Sequence, residues 1–359
     1  MTDFQRNVFC IAGLPFDAIT EAETVAQLRQ AAQEGRRLFF STPNLNFLVA
    51  AQTDDSFRHS VLKSDLSLAD GMPVIWLARL LGLPIPERVA GAGVFEALRK
   101  APGTPLTVCF FGGPPGAAAQ ASAKLNEQNC GLQGVGGISP GYASLDEMSD
   151  DTVVAAVNAC NADFIVVALG ARKGQAWIER NGPKLNAPLI SHLGAVVNFT
   201  AGWVSRAPRW MQIAGMEWLW RIFKEPYLWR RYWSDGLALL GMLFFQGPPL
   251  VLSSFLRKPD RPPMLHTETR DGVVLISLSG SWSHSASVPL REAFQKAAAA
   301  GQAVEVDLQD TTWLDSACIA LLMLLLGHQR SRGLGFAIRR YSVEAKKLLC
   351  RHGGKYLLD

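Results

Sequence analysis

The first two hundred residues alternate short apolar runs with segments whose apolar positions recur every three or four residues. "RRLFFSTPN" reads as a strand ending in a polar turn, and "FRHSVLKSDLSLAD" as a helix leading into a short strand that stops at Asp70. "PLTVCFFGGPPGAAAQASAKL" is strand, glycine turn and helix, and "ADFIVVALGARKGQAWIERN" repeats that plan. "APLISHLGAVVNF" adds a strand with a polar end, while "GLQGVGG", residues 131–137, reads as a glycine-rich loop. Strands alternating with helices predict a layered α/β fold on a largely parallel, Rossmann-like sheet. Ligands in such folds bind where loops leave the carboxyl ends of the strands. The polar clusters fall at those ends.

The pattern changes at Gly202. "GWVSRAPRWMQIAGMEWLWRIFKEPYLWRRYW" holds six of the ten tryptophans, and its six basic residues (Arg206, Arg209, Arg221, Lys224, Arg230, Arg231) face only Glu217 and Glu225. That local surplus equals the net charge of the whole chain, +4. Residues 236–256 carry no charge, and "RKPDRPP" reads as a linker. Beyond it, "GVVLISLSG", "AVEVDLQD" and "LGFAIRR" read as strands, with helices over "VPLREAFQKAAAAGQ", "DSACIALLMLLLGHQRSRG" and "SVEAKKLLCRHG". The expected divisions are therefore 1–201, an aromatic and basic appendage over 202–256, a linker over 257–263, and a small α/β domain over 264–359.

Composition narrows the class. A chain of 359 residues with 48% hydrophobic and 18% charged residues is neither disordered nor collagen-like. Its six cysteines are scattered without a CxxC, and its six histidines form no HxH or HExxH pair, so buried free thiols are expected and no metal site. The opening residues lack a basic region followed by a long apolar stretch, which predicts a cytoplasmic protein. No nucleic-acid partner is expected.

Three places could carry chemistry. In "LADGMPVIW" the carboxylate of Asp70 sits between apolar runs, where it needs a task or a partner; a turn cap is the plainer reading. In "STPNLNF", Thr42, Asn44 and Asn46 follow a strand, either as an Asx-type turn into a helix or as groups that bind a polar ligand. In "FFGGPPG", Gly112, Gly113 and Gly116 would let backbone N–H groups approach a phosphate. No D-x-D pair occurs, so a divalent ion held by such a pair lacks support; no dinucleotide fingerprint follows the first strand, which argues against an oxidoreductase.

In series, "STPNLNF", "LADGMPVIW", "ERVAGAGVFEAL", "FFGGPPG", "VALGARKGQAWI" and the RAP-to-RRY stretch resemble the WecG/TagA/CpsF glycosyltransferases, in unbroken order from about residue 10 to 235. The resemblance implies transfer of an N-acetylmannosamine-type sugar from a UDP-sugar to a polyprenyl-diphosphate-linked saccharide, with inversion and without a metal or other cofactor. It implies Asp70 as base, Thr42 and Asn44 near the reacting sugar, and Arg88 on the diphosphate. It also implies substrate contacts from Gly112, Gly113, Arg206, Arg221, Arg230 and Arg231. One stretch departs: the family usually reads G-x-P-K-Q-E where this chain has "GARKGQ", so Gly174 replaces the glutamine and Gln175 is the expected substitute. That change leaves a second reading open, a catalytically degenerate scaffold of a polysaccharide system.

A tryptophan-rich helix is usually core, yet arginines flank this one, and the family's lipid-linked acceptor requires contact with a bilayer. The resemblance thus implies peripheral association with the inner face of the cytoplasmic membrane. Pro248 and Pro249 interrupt residues 236–256, which favours an interfacial or re-entrant segment over a span. "VEVDLQDTTWLDSACIALLMLL" resembles a STAS domain, implying a protein partner and placing Ser316 where antagonists of that family are phosphorylated. The alternative is that Asp315 or Ser316 caps the helix, and Cys318 stands where the signature has glycine. The glycosyltransferase family often forms oligomers, and nothing in the patterning sets a number.

Overall fold

The computed structural model describes residues 2–127, 131–246 and 261–359. The opening hairpin, β1 (Val8–Ile11) and β2 (Leu14–Asp17), is antiparallel and buried at every position. Six strands then build one parallel sheet: β3 (Leu38–Ser41), β4 (Leu66–Ser67), β5 (Leu106–Gly112), β6 (Leu132–Ile138), β7 (Phe164–Ala168) and β8 (Leu189–His192). Their order across the sheet is β4-β3-β8-β7-β5-β6. β5 and β7 are apolar nearly throughout because helices cover both faces of a parallel sheet.

Two details differ from the sequence reading. The strand before Asp70 ends at Ser67, three residues early. "GLQGVGG" is not a loop; residues 132–137 form most of the edge strand β6. Its glycines let the helix Ala117–Asn126 lie directly on the strand. A Cβ at Gly134 would collide with Ser122, and one at Gly137 with the Ala118 backbone. Close packing, rather than turn formation, selects glycine there.

The C-terminal domain has four strands, β9 (Met264–Arg270), β10 (Val273–Trp282), β11 (Ala303–Leu314) and β12 (Phe336–Tyr341), in the order β12-β11-β10-β9. Its helix Ser316–Ser331 is buried at every position from Ser316 to Gln329. One side of that helix packs on the domain's own core. Another meets the opening hairpin and the helix Asp55–Leu62, where a Cβ on Gly327 would lie 2.7 Å from the Leu62 carbonyl oxygen. Phe4, Val8, Cys10 and Leu62 therefore share a single buried cluster with Trp282, Phe294, Leu321 and Ile338. Arg291 donates from Nη1 to the carbonyls of Phe4 (2.7 Å) and Arg6 (2.6 Å), and Tyr356 donates to Gly13 O (2.9 Å). Charge-assisted bonds of this kind are among the stronger ones in an interior. The two α/β domains are joined by a common core.

Between the domains the chain forms short helices, Arg209–Ile213 and Glu217–Lys224, and a longer one, Trp229–Gly241. The first two are separated at Gly215, whose φ of 73° suits glycine. The helix Glu217–Lys224 has no buried residue, so it is not a core helix. Among the described residues, no helix is long and apolar enough to cross a membrane. Residues 247–260, which include Pro248, Pro249 and most of the linker, lie outside the described residues.

Candidate active site

Beyond β4 the chain stays alongside β3. Leu68 N–H donates to Ser41 O (2.9 Å) and Asp70 N–H to Pro43 O (3.1 Å). Asp70 is thereby fixed at the carboxyl edge of the sheet, beside the turn that carries Thr42 and Asn44. Gly71, with φ 95°, turns the chain into the helix Met72–Leu80. The Asp70 side chain is half-buried, and Oδ2 accepts from the N–H of Gly91 at 3.4 Å. Gly91 opens the helix Gly91–Lys100, whose amino end favours a carboxylate. A Cβ at Gly91 would lie 2.5 Å from Leu193 Cδ2 and 3.1 Å from Thr42 Cγ2. Only a residue without a side chain lets this helix approach Asp70 and Thr42 so closely.

Two guanidinium groups and one carboxylate complete the cluster. Glu217 Oε2 accepts from Arg88 Nη1 at 3.3 Å, and Glu217 Oε1 lies 3.6 Å from Arg206 Nε. Arg206 also donates to Ala92 O at 3.4 Å. Burial pushes the Asp70 carboxyl up to about 6; Arg88 opposes that rise, Glu217 adds to it, and the Gly91 N–H and Arg206 oppose it. The result is a carboxylate that is ionised near neutrality yet more basic than an ordinary aspartate. That is what a general base requires.

The remaining predicted residues divide clearly. Asn44 caps the helix Leu45–Thr53, its Oδ1 accepting from Asn46 N (3.0 Å) and Phe47 N (3.3 Å). Gly112 and Gly113 lie on the same edge, four strand positions from β4, about 19 Å at ordinary strand spacing. Both have positive φ, and Gly113 N–H donates to Ala168 O (2.8 Å), so they seat the end of β5 against β7. Arg221 pairs with Glu225 at 3.4 Å. Arg230 and Arg231 are exposed, lying over the rings of Trp229 and Tyr232, and do not join the Asp70 cluster.

Residues 9–249 match the glycosyl transferase WecG/TagA/CpsF family, and residues 265–353 match the family described as Mlab, STAS domain. The chain belongs to the WecG/TagA/CpsF glycosyltransferases. The N-acetylglucosaminyldiphosphoundecaprenol N-acetyl-beta-D-mannosaminyltransferase of Bacillus spizizenii is 25% identical over 202 residues, 56% of this chain and 77% of that protein. The protein of the same name from Bacillus subtilis is 28% identical over 196 residues, 54% of this chain and 74% of its own length.

Two of the expected residues are buried in this glycosyltransferase. Gln175 is 0% exposed, and its Nε2 donates to Ser41 Oγ (3.0 Å), one residue before Thr42. It braces the sheet edge that carries Thr42 from behind. Gly174 has its own cause, since a Cβ there would collide with the His192 ring. Ser316 is not a free surface hydroxyl. It is 5% exposed and donates to Cys10 O at 2.9 Å, within the common core. Asp315 is the cap, accepting from Cys318 N at 2.9 Å. Sequence reasoning missed Glu217 as a site residue. The available signal was that Glu217 is one of only two carboxylates in a basic and aromatic stretch.

Proposed function

We propose that this glycosyltransferase moves an N-acetylmannosamine-type sugar from a UDP-sugar to a polyprenyl-diphosphate-linked saccharide, with inversion and without a metal ion. The product would serve exopolysaccharide or another cell-envelope glycan. The observation that carries the reading is Asp70 at the sheet edge with Arg88 and Arg206 beside it. Asp70 takes the proton of the acceptor hydroxyl as its oxygen bonds to the anomeric carbon. The bond from that carbon to the diphosphate oxygen breaks, and its electron pair leaves with UDP. Guanidinium groups suit the developing charge because they bind phosphate oxygens in pairs. The names of the two Bacillus relatives support the acceptor class and the sugar.

The test is incubation of the full chain with a panel of UDP-sugars and a short-chain polyprenyl-diphosphate-GlcNAc. Transfer with UDP-N-acetylmannosamine is expected. Absence of transfer with every donor, together with absence of UDP binding, would sink the proposal.

The appendage supports a peripheral membrane contact. Trp229, Trp233, Leu237 and Leu240 are exposed and recur at spacings of four, four and three, so they share one helix face. Buried Asp235 and Leu239 face elsewhere. Phe223, 77% exposed, adds a large ring on the preceding helix, and Arg230 and Arg231 flank the stripe. Aromatic rings with neighbouring cations suit the bilayer interface. Replacing Phe223 and Trp233 together by serine should weaken flotation with anionic phospholipid vesicles by about tenfold or more. Unchanged flotation would refute the contact.

A further inference from the structure

Glu217 stands apart from the residues that the proposed reaction uses. It belongs to the appendage, yet its carboxylate reaches back across the sheet edge to the two arginines nearest Asp70. Its side chain is only 20% exposed, against 17% for Arg88 and 24% for Arg206, so these charges meet largely out of water. There their interaction is much stronger than at the surface. The arrangement poses a physical problem for a base. Two unneutralised guanidinium groups beside Asp70 would hold its proton affinity down, since an opposite charge within a few ångströms stabilises the ionised form.

We propose that Glu217 is a positioning residue for the transfer reaction: it pins Arg88 and Arg206 beside the Asp70 carboxylate and balances their charge. This inference rests on Asp70 being the base. The appendage therefore has a role in the chemistry distinct from membrane contact, because the site's charge balance is complete only with the helix Glu217–Lys224 in place. The groups acting on Asp70 are Arg88 from the loop before the helix Gly91–Lys100, the N–H of Gly91, Arg206, and Glu217. Glu21 lies in the field of the same two arginines, and Glu87 accepts from its N–H at 2.7 Å. Of these anions, Glu217 is the one paired with Arg88 and Arg206 and acting on Asp70.

The experiment follows the Asp70 carboxyl carbon by 13C NMR during pH titration of the full chain, alongside the pH profile of transfer. Glu217→Gln keeps the shape and removes the charge. It should move the Asp70 midpoint to lower pH by about one unit or more, with the acid limb of kcat/KM moving alike. Glu217→Asp should retain the wild-type midpoint, and Arg206→Gln should move it to higher pH. A midpoint unchanged in Glu217→Gln would overturn the proposal, whether or not the rate falls. The carboxyl titration needs no turnover. If the wild-type chain transfers no sugar the proposed reaction fails, while the role of Glu217 is still decided by the NMR midpoint. Should Glu217→Gln fail to fold, Glu217→Ala decides in its place: a midpoint moved to lower pH supports the charge balance, and no change overturns it.

Discussion

Asp70→Asn is expected to abolish sugar transfer, by a factor of about 10² to 10⁴, while leaving the fold and UDP binding intact. Asparagine keeps the shape and still offers an oxygen to the Gly91 N–H, but it cannot take the acceptor's proton. Wild-type activity should fall as pH drops through about 6, because protonation of Asp70 removes the base. The sign of the stability effect separates lost chemistry from lost fold. Burial raises this carboxyl above its unfolded value, so the group opposes folding by an amount that is absent below about 4, grows as pH rises, and is complete above about 6. Removing the charge should therefore leave the melting temperature at pH 7.5 unchanged or higher. Retained turnover in Asp70→Asn would show that another group is the base.

Phe4→Ala should unfold both domains together. The Phe4 ring is fully buried in the common cluster and meets Phe294 edge-on, with centroids 5.9 Å apart. Deleting such a side chain costs about 3–5 kcal/mol, a large part of an ordinary domain's stability. The hairpin also leads toward the site. Arg6 donates to both carboxylate oxygens of Asp17 (3.0 and 2.6 Å), and Asp17 Oδ2 accepts from the N–H of Ser67 at 2.6 Å, in the strand before Asp70. Hydrogen exchange should show protection lost in β1, β4 and β11 alike, with transfer reduced in parallel. Loss confined to either domain would contradict a shared core.

The parallel sheet is legible because β3, β5, β7 and β8 are short apolar runs closed by polar or glycine turns, which few other structures produce. β6 is not legible, because its glycines answer a helix lying on the strand, and that contact is invisible along the chain. One side of the opening hairpin packs on helices within the first eighty residues, but the other is covered by elements some three hundred residues away. Asp70, Thr42, Arg88 and Arg206 can be picked out from motif order. Gln175 and Ser316 carry suitable chemistry at suitable positions, but burial is a tertiary property that residue type does not encode. Glu217 is hidden for the converse reason. Its neighbours in sequence are Met216 and Trp218, and its arginine partners become neighbours only when the appendage folds back.

The common core also sets a timetable for synthesis. Cys10 donates from its thiol to the carbonyl of His352, a separation of 342 residues, and Tyr356 reaches back to Gly13. β1 is thus completed by residues made some 340 positions later. At about 5–20 residues per second, β1 waits roughly 17 to 70 s with apolar surface that only the C-terminal domain covers. A ribosome stalled before the Ser316–Ser331 helix should hold a hairpin open to proteolysis, however well the six-stranded sheet has formed.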